Sequence, residues 1–122
     1  VYFSAFFDAD DTTNEAGKAF VEGFKAWVAE DNTRIENNGG TADAISSVTP
    51  CGYDAYMAAV NAIEAANSTE GPAIRDALAS LNVPGLITGD LSFDENGDAV
   101  KTYAVIKTIK DGQIVYFSTY NG

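Results

Sequence analysis

The sequence predicts an α/β domain. Three observations lead there. An apolar, aromatic run opens the chain at Val1–Phe7. The middle carries apolar residues at helical spacing. The final third is cut into short segments by Asn-Gly and Asp-Gly turns.

Val1, Phe3, Ala5 and Phe7 share one alternate face of the opening run, and Tyr2 and Phe6 share the other. A strand apolar on both faces is expected inside a parallel sheet covered on both sides. Thr12-x-x-Glu15 reads as a capping box, and Phe20, Phe24, Trp27 and Val28 then predict a helix over 13–30. Residues 31–42 read as a polar loop around Asn37-Asn38-Gly39-Gly40. Residues 44–48 read as a short strand. Thr49-Pro50 opens a second helix to about Asn67, with Thr49 as its cap and proline tolerated in the first turn. Its stripe is Tyr53, Met57, Val60 and Ile63. A third helix over 72–81 carries Ile74, Ala77, Leu78 and Leu81. Strands are expected over 86–93, 100–109 and 114–120, joined by turns at 94–98 and 110–113, where positive φ suits Asn-Gly and Asp-Gly.

Composition narrows the chemistry. The 122 residues suit one domain, and 46% hydrophobic content suits a packed core. The net charge is −11, so nucleic acid is not an expected partner, nor is an anionic lipid surface. No apolar stretch is long enough to span a membrane. The absence of an initiator Met and the abrupt apolar start predict a fragment of a longer polypeptide.

There is no histidine, which removes the commonest general base and zinc ligand. No metal site, cofactor or catalytic residue is expected. Cys51, the lone cysteine, reads as a small packed residue, with a nucleophilic role as the rival reading. Asp94-x-Asn96-x-Asp98 hints at calcium, but Ala99 and Val105 stand where a calcium loop wants Gly and Glu, so a hairpin turn is expected. Asp8, Asp10 and Asp11 read as a surface connector favoured near a helix start. The aromatics Phe20, Phe24, Trp27, Tyr53 and Tyr56 read as core, because they keep helical spacing.

The order of segments resembles the C-terminal stretch of the type I periplasmic binding proteins, in the branched-chain amino-acid receptor group of the ABC transporters. The opening run is similar to the family's crossover strand, and Gly52-Tyr53-Asp54-Ala55 to its Tyr-Asp-Ala helix start. The most specific stretch is Gly85-x-x-Thr88-Gly89-x-x-x-Phe93-Asp94-Glu95-Asn96-Gly97-Asp98, followed by Val105-Ile106-Lys107 and Lys110-Asp111-Gly112.

The resemblance implies a partial three-layer αβα lobe with C-terminal β-hairpins, in one incomplete domain. Residues 1–8 would be a crossover strand, 9–105 a returning lobe segment and 106–122 a terminal crossover hairpin. It implies a non-enzymatic, extracytoplasmic receptor, periplasmic or a cell-surface lipoprotein. The receptor would close over a small amino-acid-like ligand and pass it to a membrane permease. In this reading Val48, Thr49, Pro50 and Cys51 form one ligand-facing wall, and Thr49-Pro50-Cys51 departs from many relatives. The fragment alone is expected to self-associate as a dimer. The rival readings are a sensory ligand-binding domain of a membrane receptor, a small α/β enzyme and a self-associating structural domain.

Overall fold

The computed structural model describes all residues, 1–122. The chain forms two antiparallel three-stranded sheets and four helices. Strand β1 (Tyr2–Ala5) pairs with β5 (Tyr103–Lys110), which pairs with β6 (Gln113–Asn121), giving the order β1-β5-β6. The smaller sheet orders β2 (Asn82–Val83), β3 (Leu91–Phe93) and β4 (Ala99–Val100). Between β1 and β2 lie α1 (Glu15–Ala29), α2 (Asn32–Asn37), α3 (Thr49–Ala66) and α4 (Gly71–Ala79).

The opening strand departs from the sequence expectation. It is antiparallel, sits at a sheet edge, and is largely exposed, with Phe3 facing Lys107 across the ladder. Its apolar faces have no second layer within this chain, so apolar character did not translate into burial. Only Phe7, just past its end, is fully buried, with its ring edge-on to Phe20 at 6.3 Å.

Helix α1 starts two residues later than the capping box suggests. The Asn14 side chain accepts from Gly17 N at 2.8 Å and is the cap, while Thr13 is drawn off to Asp11. Gly17 fits closely there: a Cβ would lie 3.0 Å from both the Phe7 ring and the Asn14 side chain. The loop expected at 31–42 contains α2, capped by Asp31, whose carboxylate accepts from Arg34 N at 3.0 Å. Arg34 then lies over the Trp27 ring at 4.3 Å.

Residues 44–48 are not a strand. No neighbouring strand is available to pair with them, and Ser46 turns the chain so that Thr49 N donates to its carbonyl at 3.0 Å. Helix α3 follows and ends at Asn67 in the left-handed region, φ 46°. The expected strand at 86–93 shortens to β3, because Ile87 and Thr88 give their amides to a side chain rather than a ladder.

Both predicted hairpin turns form. Asp111 and Gly112 take φ of 52° and 77° between β5 and β6. A register shift beside Ile106 leaves Phe117 unpaired, and its ring meets Tyr2 edge-on at 4.8 Å. The main core gathers Ala58, Val83, Leu86 and Leu91, between α3 and the β2–β3 connection.

Candidate functional site

The segment proposed from sequence as a ligand-facing wall lies at the start of α3. Val48 holds the cap position with φ −98° and no side-chain cap bond, so Thr49 is the first helical residue and not the cap. Val48 is 55% exposed. Thr49 is half-buried, and Pro50 is fully buried as a wedge in the first turn. Cys51 lines a groove. That groove, about 460 Å³, is walled by Phe6, Ala55, Ala58, Leu91 and Phe93, with Asp54 and Lys101 among its few polar groups. Burial pushes the Cys51 thiol up, the Asp54 charge adds to this, and Lys101 offsets part of it. A raised thiol carries less thiolate and is a poorer nucleophile.

One turn into α3, Asp54 is buried and works as a clamp. Its carboxylate accepts from Ile87 N at 3.0 Å, Thr88 N at 2.8 Å and Thr88 Oγ1 at 2.6 Å. Lys101 Nζ donates to Thr88 Oγ1 at 2.8 Å. A buried carboxylate is tolerable only when its lone pairs are filled, and here backbone amides fill them. The Tyr-Asp-Ala helix start and the Gly-x-x-Thr-Gly stretch are therefore two halves of one lock. Gly89 completes it. It has φ +87°, and a Cβ there would sit 2.6 Å from the Tyr103 Cβ.

Sequence reasoning named both motifs but gave Asp54 no task. The signal was present: Asp54 leads Ala58 and Ala62 at four-residue intervals, and all three are buried on one helix face. An acid on such a stripe must find donors.

A second polar node lies between the helices and the larger sheet. Asp11 is buried and accepts from Thr13 N at 2.9 Å, Thr13 Oγ1 at 2.6 Å, Tyr103 Oη at 2.7 Å and Thr119 Oγ1 at 2.6 Å. Burial would raise its carboxyl, but the bonds from Thr119, Thr13 and Tyr103 together outweigh it and hold the pKa below the usual value. Tyr103 is pushed up to about 12 by burial and by Asp11. Asp8, also buried, pairs with Lys107 Nζ at 2.6 Å. The acidic cluster is thus no surface connector: two of its three members are structural, because cross-sheet hydroxyls and an ammonium meet them.

Asp94 accepts from Asn96 N and Asp98 N at 2.9 Å each, so its carboxylate closes the hairpin turn. No three acidic or cysteine side chains gather in a metal-holding group. The helical aromatics are not core. Trp27, Tyr53 and Tyr56 are exposed, and Phe20 and Phe24 stack at 5.7 Å in an open groove of about 900 Å³ between α1 and α3. No helix is long and apolar enough to cross a membrane.

The clamped helix start, the turn-rich β2–β4 unit and the strands β1 and β5 define part of a type I periplasmic binding fold. The chain belongs to the family described as receptor family ligand binding region, whose family model matches residues 2–111. The leucine-binding protein LivK of Thermotoga maritima superposes with a TM-score of 0.64 and 28% identity, over 99% of this chain and 31% of its own. An ABC-transporter solute-binding protein of R. palustris, solved with benzoate, gives a TM-score of 0.67 over 99% of this chain and 30% of its own; at 15% identity it shows the fold alone. The chain thus spans about a third of the length of these structures. No curated protein matches.

Proposed function

We propose that this chain is part of the substrate-binding component of an ABC transporter, capturing a branched-chain or related amino acid in an interlobe cleft outside the cytoplasm. The observation that carries the reading is the likeness to a leucine-binding protein over 99% of the chain at 28% identity. The mechanism is closure of two lobes about hinge strands, with the loaded form read by a membrane permease. The protein is a receptor and not an enzyme. The raised Cys51 thiol supports this, as does a sequence without histidine. Val48, Thr49, Pro50 and Cys51 form one wall of the cleft. Val48, with 55% of its surface exposed and no side-chain cap bond, is free to touch the ligand side chain, and buried Pro50 fixes the loop that presents it.

Calorimetry on the full-length protein with leucine, isoleucine, valine, phenylalanine and benzoate tests this. Micromolar binding of the aliphatic amino acids is expected. Val48→Trp should weaken it by about tenfold or more with an unchanged melting temperature. Binding of benzoate alone would change the ligand class, and binding of none of the five would overturn the reading. An unchanged affinity in Val48→Trp would move the site elsewhere.

We also infer that these 122 residues, taken alone, form a dimer. A folded monomer of 12.9 kDa exposes roughly 6,300 Å². This chain exposes 7766 Å². The excess of roughly 1,500 Å² exceeds the ~800 Å² each partner contributes to a standard interface. The free edges of β1 and β6 and the exposed Trp27, Tyr53 and Tyr56 supply the surface. The charge of −11 opposes association, but at 0.1 M salt it is screened beyond about 10 Å. Sedimentation at micromolar concentration is expected to show a dimer. A monomer with a cooperative melt would overturn the inference.

A further inference from the structure

The larger sheet and the helical body meet through a narrow neck. Two connectors cross it, residues 6–14 and residues 101–102, between elements that each hold together internally. Across this neck the polar contacts concentrate on one residue. Asp11 sits in the first connector. Within the connector it accepts from Thr13 N and Oγ1, two residues before α1 begins. On the sheet side it accepts from Tyr103 Oη on β5 and Thr119 Oγ1 on β6. Asn14, beside it, donates from Nδ2 to Ile87 O at 2.8 Å, which ties the same connector to the loop that Asp54 locks. Tyr116 Oη and Thr119 Oγ1 lie 2.9 Å apart, so the sheet side of the node is itself braced.

We propose that Asp11 is a positioning residue for the closure motion, fixing the angle at which the β1-β5-β6 sheet leaves the helical body. This rests on the reading of the chain as part of a two-lobed receptor, in which strands of this sheet cross between lobes. A carboxylate held by two bonds inside the connector and two from the sheet, on a connector that Asn14 ties to α1 and to Ile87, tolerates few arrangements of the two bodies. Four donors at 2.6–2.9 Å, two from the connector itself and one each from β5 and β6, leave little freedom at the neck. The neighbouring ion pair, Lys107 to Asp8, joins the same sheet to the same connector but makes a single bond to a flexible ammonium, so it steadies the neck without setting an angle. A hinge held at one angle gives up less conformational entropy when ligand closes the cleft.

The test uses the full-length protein carrying spin labels at Glu22→Cys on α1 and Gln113→Cys at the tip of β6, both exposed positions. Cys51 is half-buried with a raised thiol and labels slowly by comparison. Asp11→Asn keeps the size and removes two acceptor pairs facing hydroxyl donors. Tyr103→Phe with Thr119→Val keeps the carboxylate and its Thr13 bonds while cutting only the sheet side. Both variants are expected to broaden the inter-label distance distribution without ligand, and to raise the leucine dissociation rate by about tenfold. A lowered melting temperature with unchanged distance distribution and dissociation rate would show a merely structural role and overturn the proposal. Should the wild-type protein bind no leucine, the distance distribution still decides the proposal, and only the ligand reading fails.

Discussion

The two faces of α3 make opposite use of their residues. Asp54, Ala58 and Ala62 face inward and are closed over by the chain's own loop and β3. Tyr53, Tyr56 and Ile63 face outward and stay exposed. Of these six, the two alanines and the aspartate are inside, and the two tyrosines and the isoleucine are outside. Burial on α3 therefore follows the availability of a partner within the chain, not side-chain hydrophobicity alone. A self-contained domain would spend its largest apolar groups first.

The sharpest way to break this contrast is on the closed face. Asp54→Ala leaves the amides of Ile87 and Thr88 buried without acceptors, and should cost about 3 kcal/mol or more in urea unfolding of the full-length protein. Asp54→Asn keeps one acceptor oxygen and should cost less. Equal stability of wild type and Asp54→Ala would show that the lock carries no weight.

Next in size is a pair of glycines with nearly the same backbone. Gly89 and Gly97 have φ of +87° and +85°, but only Gly89 has a neighbour, the Tyr103 Cβ, within reach of an added methyl. Gly97→Ala should cost about 1 kcal/mol for the left-handed backbone alone. Gly89→Ala should cost more, by about another 1–3 kcal/mol from the collision. Thermal unfolding of the two variants measures the difference, and equal losses would mean that Tyr103 moves aside freely.

The Asp11 node predicts smaller changes at both ends of the pH scale. The Asp11 pKa is depressed on folding. Its contribution is present above its ordinary 3.8 and is lost as pH falls through the depressed value. Tyr103 is raised from 10.0 to about 12. Its contribution is complete below 10.0 and is lost as pH rises toward 12. Tyr103→Phe should therefore flatten the alkaline side of the stability profile. Asp11→Asn should flatten the acid side.

The smallest effect is expected on the open face. Tyr56→Ser should change the stability of the isolated chain by about 0.5 kcal/mol or less, since its ring is 66% exposed. Its effect should appear instead in self-association, as a weaker dimer in sedimentation. A large stability loss with no change in association would reverse the assignment of the two faces.

The local elements were legible because local chemistry specifies them. Thr49-Pro50 starts a helix, and Asn67 ends it by taking φ 46°. Asp111-Gly112 closes a hairpin because both residues accept positive φ. The ordered motifs were enough to indicate the family that residues 2–111 match. Residues 48–51, proposed as a ligand-facing wall, were legible as a helix start, although Val48 took the cap position expected of Thr49.

Other features depended on contacts between segments far apart in sequence. Whether Val1–Phe7 is covered depends on which strands lie beside it, and only β5 does, in antiparallel register. Whether residues 86–88 form a strand depends on Asp54, 33 and 34 residues away along the chain, whose carboxylate offers their amides a stronger acceptor than a ladder would. Whether Asp11 is solvated depends on Tyr103 and Thr119, which only the folded sheet brings to it. Periodicity and turn chemistry act over a few residues, so the sequence by itself determined helices, turns and caps. Burial and buried hydrogen bonds are settled by pairings across most of the chain, and those only the tertiary structure decided.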